Sequence, residues 1–283
     1  MIFIVLSILL FSFNNVLWKS NLKEVSVSFL IAYRAVFTFL LSFLLCIHFE
    51  GISAYYNSNL LRISLGSIFG TIGLFSMLTV IKKSPLQWLG IYNLIGIIFT
   101  TTYLWLFEEI HIDKSILGLL TIIIGFCYYL YGNRSNETTI SYKQHLTLLL
   151  MTFCFCISGL IHWKNLSSNT PPLLIISNQE LVVLISSLIF TFRFNKMDSI
   201  TNNLKNYFIR VIVMATIIFL ALWCSFLGLK ITNPVISSVL FLSNPLVTIL
   251  LAAVFFKEKL TLSSSIAIII ISVGAFILHY FTV

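Results

Sequence analysis

Two stretches, SILGLLTIIIGFCYYLY (115–131) and SSIAIIIISVGAFILHY (264–280), decide the fold. Neither contains Asp, Glu, Lys or Arg, and runs such as Ile266–Ile271 are apolar at every position. A lipid-exposed backbone must satisfy its own hydrogen bonds, which a helix does within one segment. A membrane β-strand would alternate apolar and polar residues, and these stretches do not. The two also lie on one another at a shift of 149 residues, with Ser115 on Ser264, Gly125 on Gly274 and Tyr131 on Tyr280. Upstream, without a gap, Pro85 meets Pro234, Phe107 meets Phe256 and Glu109 meets Glu258. At a shift of 145, Trp18-Lys19 meets Trp163-Lys164.

The rest of the chain follows the same pattern. Hydrophobic residues make up 59% of it and charged residues 9%, against roughly 25% charged in a soluble domain. That composition nearly excludes a soluble enzyme. Apolar runs predict crossings at 1–18, 27–47, 61–81, 85–107, 115–131, 145–161, 172–192, 207–229, 234–256 and 261–280, each close to the ~20 residues a helix needs to span a bilayer. The opening MIFIVLSILLFSF has no basic region ahead of it and reads as the first crossing, not a signal peptide. The five cysteines, 46, 127, 154, 156 and 224, sit in apolar runs without CxxC spacing and read as small hydrophobes. The formal net charge of +8 comes from basic residues in short gaps, which are topology signals and do not imply nucleic acid.

The expected fold is therefore all-α and integral to a membrane, with ten helices as two five-helix repeats. The first repeat is 1–131, a cytoplasmic linker is 132–144, and the second repeat is 145–283. Five is odd, so the second repeat enters the membrane from the opposite side, an inverted arrangement that secondary transporters use. With an outside N-terminus, the inner side holds Lys19, Lys23, Lys82, Lys83, Arg134, Lys143, Arg193, Lys196, Lys205, Arg210, Lys257 and Lys259, and the outer side Arg62, Lys114, Lys164 and Lys230. The positive-inside rule then places both termini outside.

Several stretches resemble the EamA-type transporters of the drug/metabolite transporter superfamily. They are SFNNVLWKSN (12–21), YRAVF (33–37), the FEE and FKEKL turns at 107 and 256, the paired Gly125 and Gly274, and SNPLVTILLAAVFFKEKL (243–260). The chain departs from the family pattern at Gly96, where a proline is expected, and lacks a glycine after the tryptophan of the first helix. The resemblance implies ten helices in two repeats, and transport of amino acids, sugars, drugs or other metabolites across the bacterial inner membrane.

Ionisable and polar residues deep in the apolar runs are the candidate site. Arg34 lies about seven residues into the second helix, and Glu180 about eight into the seventh, roughly 12 Å from the edge at 1.5 Å per residue. Intramembrane charges face the bundle interior and mark substrate paths or proton relays. Arg34 is read either as holding an anionic group, or as snorkelling to the cytoplasmic surface or capping carbonyls of a neighbouring helix. Glu180 is read as carrying a coupling proton or pairing with a substrate amine, with Arg34 either its partner or on the opposite side of the midplane. Asn244-Pro245 and Gly96 fall on equivalent helices and read as paired hinges flanking a central site. Ordinary close packing is the alternative there. Asn15, Tyr92, Asn93 and His162 complete the predicted lining. Trp18-Lys19 and Trp163-Lys164 read as interface markers. Glu109 and Glu258 read as caps for the helices at Ser115 and Ser264.

No HExxH, GxSxG or P-loop pattern occurs in the sequence. The expected function is a secondary transporter for a small polar metabolite, plausible candidates including amino acids, exported or exchanged by alternating access. The partners expected are that solute and the bilayer, with no nucleic acid, no cofactor and no metal, and a homodimer is compatible with the frame. A lipid-linked flippase or scramblase is the alternative on the same frame, and an intramembrane enzyme a more distant one.

Overall fold

A computed structural model describes residues 2–57, 59–107, 116–132, 140–194, 197–231, 243–257 and 261–282. Its regular structure is helical: α1 (Ile2–Asn21), α2 (Val27–Glu50), a short α3 (Ser53–Asn57), α4 (Leu60–Ile81), α5 (Gln87–Phe107), α6 (Ile116–Gly132), α7 (Tyr142–Ser167), α8 (Pro172–Phe194), α9 (Met197–Ile231), α10 (Ser243–Phe256) and α11 (Leu262–Thr282). Among the described residues six helices, α1, α2, α4, α7, α8 and α9, are long and apolar enough to cross a membrane, and four more apolar helical stretches are shorter.

Each predicted crossing overlaps a described helix, the ninth only from Ser243 onward, and the ends differ. Hydropathy marks the bilayer, whereas hydrogen bonding and caps mark the helix. α9 starts ten residues before its apolar run because 197–206 contains neither Gly nor Pro to stop it. α7 starts at Tyr142 because Ser141 and Gln144 form a capping box, each side chain bonded to the other's backbone N–H. α2 starts after Ser26, whose hydroxyl accepts from the Phe29 N–H, and stops at Gly51 with φ +74°. The cap of α11 is Thr261, whose hydroxyl accepts the Ser264 N–H at 3.1 Å. The predicted caps Glu109 and Glu258, and Ser115, lie outside the described residues.

Burial is arranged for a lipid solvent. Leu61, Val254, Ile124 and Phe276 are more than three-fifths exposed, while Ser7, Ser12, Thr38, Ser42 and Ser67 are fully buried. Many of these hydroxyls bond a carbonyl of their own helix one turn back, as Ser67 does to Ile63 at 2.9 Å. The helices pack most extensively as α6 with α11, α2 with α8, α4 with α7, and α1 with α9. Small residues allow the closest of these approaches. A Cβ on Gly274 would stand 2.8 Å from the Ile122 nitrogen and 2.9 Å from the Gly118 carbonyl oxygen. Along α4, Gly66, Gly70 and Gly73 receive His162, Ser158 and Phe155 of α7. That seam turns one polar edge of α7 inward.

One end of the bundle is tied shut. Lys19 donates to the Ser84 carbonyl at 3.2 Å, Lys82 to the Val25 carbonyl at 2.8 Å, and Gln144 to the Ser84 hydroxyl at 2.8 Å. The Tyr207 hydroxyl donates to Glu24. These contacts join the α1–α2 turn, the α4–α5 turn, the start of α7 and α9.

Candidate functional site

A cavity of about 410 Å³ lies among α1, α2, α4, α5, α7, α8 and α9. Its lining runs from Trp18 and Met77, near the ends of α1 and α4, to Trp163 and Leu229, near the ends of α7 and α9. Phe11, Leu74, Phe155, Ile218, Leu222 and Phe226 give it a largely apolar wall. Polar groups enter from separate helices: Asn14 and Asn15 from α1, Arg34 from α2, Asn93 and Thr100 from α5, Ser158 and His162 from α7, and Gln179 and Glu180 from α8. An apolar enclosure with a few convergent polar groups is the usual form of a small-molecule site.

Arg34 and Glu180 meet there. Arg34 Nη1 is 2.6 Å from Glu180 Oε2, and both side chains are 2% exposed. Of the two expected placements, partners or opposite sides of the midplane, the pairing is the one found, and Arg34 does not snorkel. The Arg34 guanidinium also lies 5.7 Å over the Trp18 ring, a cation–π distance. Trp18 is 1% exposed, so it is not an interface marker. Lys19 instead packs over the Phe256 ring at 5.0 Å and bonds the Ser84 carbonyl.

Several buried polar atoms of the lining have no hydrogen-bond partner among the described residues. They are Asn14 Oδ1, Arg34 Nε and both ring nitrogens of His162. Asn14 and His162 are each 2% exposed. Leaving such groups unpaired costs roughly 1–3 kcal/mol each, more where charged. Together they offer donors and acceptors at separate points of one apolar space. His162 is held in place by Gly66, whose missing Cβ makes room for its ring, and by an edge contact with Phe226 at 5.5 Å.

Of the predicted lining, Asn15, Arg34, Asn93, His162 and Glu180 are in the cavity wall. Asn15 also bridges to α10, donating to Thr248 Oγ1 at 3.4 Å. Tyr92 is not in the wall: it points into the α5–α6–α7 contact, where its hydroxyl is 2.6 Å from His145 Nδ1 and its ring packs on Trp88 and Phe126. Gly96 is not a break, because α5 runs through it without interruption. It is a close approach to α7, its carbonyl accepting from Cys156 Sγ at 3.2 Å. Pro245 falls in the first turn of the described part of α10, and Phe241, whose carbonyl its missing N–H would leave free, lies outside the described residues. The side chains of Asn244 and Pro245, and residues 232–242, lie outside the described residues. All five cysteines are free, with Cys46, Cys154 and Cys224 buried, Cys127 exposed and Cys156 in the cavity wall. Asn14, deep in the first helix beside Asn15, also lines the cavity, as its depth in the sequence suggests, whereas sequence reasoning missed Ser158 and Gln179.

Fold and cavity together define a multi-pass helical membrane protein with a central solute-sized chamber. Residues 143–280 match the EamA-like transporter family. These residues form an EamA-like transporter family domain, part of the drug/metabolite transporter superfamily. A solved structure, titled only as the crystal structure of a protein, superposes with a TM-score of 0.68 at 14% identity, covering 98% of this chain and 97% of that one. That likeness concerns the fold alone. A protein of Dictyostelium discoideum described as a candidate fatty acid elongase is 24% identical over 99 residues, 34% of this chain and 33% of that protein. The matched stretch thus spans about a third of that relative's length.

Proposed function

We propose that the chain is a secondary transporter of ten helices, in which two inverted repeats, 1–131 and 145–283 joined by 132–144, carry a small metabolite across the cytoplasmic membrane by alternating access. The observation that carries this reading is the cavity, which draws buried polar groups from helices of both halves around one ion pair. The helix contacts support the duplication. Exchanging each crossing with its counterpart five crossings away carries the main helix contacts onto one another, with α5·α6 the exception. α2·α8 and α6·α11 map onto themselves, as does α5·α10, while α4·α7 maps onto α1·α9, α4·α8 onto α2·α9, and α5·α7 onto α1·α10. The family match to 143–280 covers the second repeat.

In this conformation the tied end is the one where α1 ends and α2 begins, and the cavity extends toward the other. The basic residues cluster at the tied end, which the positive-inside rule makes cytoplasmic. A reporter fused to the C-terminus is expected to read as extracytoplasmic. A cytoplasmic readout would reverse the sidedness of the cavity and leave the repeat untouched.

Glu180 is the proposed coupling residue. A guanidinium keeps its charge in proteins, so a neutral Glu180 leaves that charge to be matched by another anion. Proton and solute are thereby linked at one pair. Proteoliposomes loaded with a metabolite extract and placed in labelled extract test the transport reading directly. Counterflow of at least one soluble compound is expected in the wild type. Headgroup exchange of labelled lipid with no soluble counterflow would instead select the flippase.

A further inference from the structure

Resting on the reading of the cavity as the transport site, we propose that the solute carries a carboxylate that takes Arg34 from Glu180, so that loading is an exchange of ion-pair partners. Three observations lead to it. Arg34 is buried, offers five donors, and contacts Glu180 through Nη1 alone, while its Nε has no partner among the described residues. A guanidinium edge binds a carboxylate through two parallel N–H···O bonds, and the edge that includes Nε is the one Glu180 leaves unused. Asn14 Oδ1 and the two nitrogens of His162, also without partners, await a donor and an acceptor elsewhere on the same solute. The wall of Phe11, Trp18, Phe155 and Phe226 selects an apolar body.

Charge balance then sorts solutes. The Arg34–Glu180 ion pair carries no net charge, and a guanidinium does not titrate in proteins. A bare cation would leave one uncompensated positive charge in an apolar enclosure. A carboxylate leaves Glu180 as the surplus charge, and Glu180 can be neutralised in two ways. A solute ammonium pairs with it, or a proton from the open side forms an O–H bond on its carboxyl, with no other bond made or broken. Both routes share the carboxylate on Arg34. The titratable groups facing Glu180 in the cavity are Arg34 from α2, and His162 and Cys156 from α7; among the described residues α1, α4, α5 and α9 contribute none.

Trp18 and Trp163 line the cavity, so tryptophan quenching reports occupancy. The full-length protein in liposomes of neutral lipid is titrated with 3-phenylpropionate, phenylalanine, 3-phenylpropionamide and 3-phenylpropylammonium. The two carboxylates are expected to bind at least ~10-fold more tightly than the amide and the ammonium. Phenylpropionate should tighten by about tenfold for each pH unit lowered between pH 8 and 6, the linkage of one bound proton. Phenylalanine, which brings its own ammonium, should not. The pH slope should persist in His162→Asn and vanish in Glu180→Gln. Carboxylate preference should disappear in Arg34→Gln/Glu180→Gln, which strands no charge. If that double variant does not fold, Arg34→Lys, which lacks Nε, should show the same preference weakened. Equal binding of the ammonium, or a preference retained by the double variant, overturns the proposal. Silence toward all four solutes also overturns it, while counterflow of the metabolite extract decides the transport reading separately.

Discussion

Glu180→Ala is expected to destabilise the folded protein by roughly 3–5 kcal/mol, the cost of leaving one member of a buried ion pair without its partner. Arg34 sits 1% exposed with Glu180 at 2.6 Å, and no other acidic side chain lines the cavity among the described residues. Arg34→Ala should be comparable, since it strands the carboxylate. Glu180→Gln keeps an acceptor for Nη1 but still strands the guanidinium, so it should fall between wild type and Glu180→Ala. From the sequence alone, with Arg34 placed across the midplane, Glu180→Gln is expected to fold normally; the observed contact changes that. Removing both charges with shape kept, as Arg34→Met/Glu180→Gln, should recover most of the loss, because replacing a whole buried pair is often neutral. Thermal unfolding of the detergent-purified protein measures all four. If the single variants melt like wild type, the pair does not hold the structure together. If the double variant melts no higher than the singles, packing and not charge explains the loss. In surviving Glu180→Gln protein, exchange down a gradient should continue while pH-driven accumulation is lost.

The fold was legible because lipid imposes a plain rule on sequence. Among the described residues the apolar runs lie in helices, six of them long enough to cross, and the shift of 149 residues put α6 opposite α11, the pair that packs through Gly125 and Gly274. What hydropathy does not encode is where a helix rotates its polar residues. Tyr92 and Asn93 are neighbours on α5, yet only Asn93 reaches the cavity, because Tyr92 faces the Trp88–Phe126–His145 cluster one face away. The same limit left the ion pair as one of two placements. At a shift of 145 to 146 residues, Arg34 falls on Gln179 and Glu180. In the proposed inverted repeat, equivalent residues on helices that pack against each other face one another when they lie near the axis relating the two halves. Arg34 and Glu180 carried that signal, but depth counted along each helix separately left both placements open. The glycine-lined seam of α4, which turns Ser158 and His162 inward, is visible as Gly66, Gly70 and Gly73. Only the facing helix shows what those glycines admit.

Gly159→Trp is expected to abolish transport while leaving stability unchanged or slightly raised. Gly159 lies in the cavity wall, and a Cβ built on it meets nothing within 4 Å. A bulky side chain there can extend into the 410 Å³ space that the solute needs. Replacing a helical glycine also recovers up to roughly 0.5–1 kcal/mol of backbone entropy. The exchange rate in proteoliposomes should fall by at least ~10-fold, about 1.4 kcal/mol in the barrier, with an unfolding midpoint at or above wild type. Gly159→Ala, with the same backbone gain and little added volume, should transport nearly as well as wild type. Gly73→Trp is the contrasting case on the facing helix. Its Cβ would already stand 2.7 Å from the Phe155 ring, so it should lose stability, by the roughly 1–3 kcal/mol typical of overpacking or more. Wild-type exchange in a stably folded Gly159→Trp protein would mean that solute passes elsewhere and that this cavity is not the path. Loss of both folding and transport at Gly159 would mean that the wall closes in on that position in another conformation of the cycle, which the rate of Gly159→Ala then measures by itself.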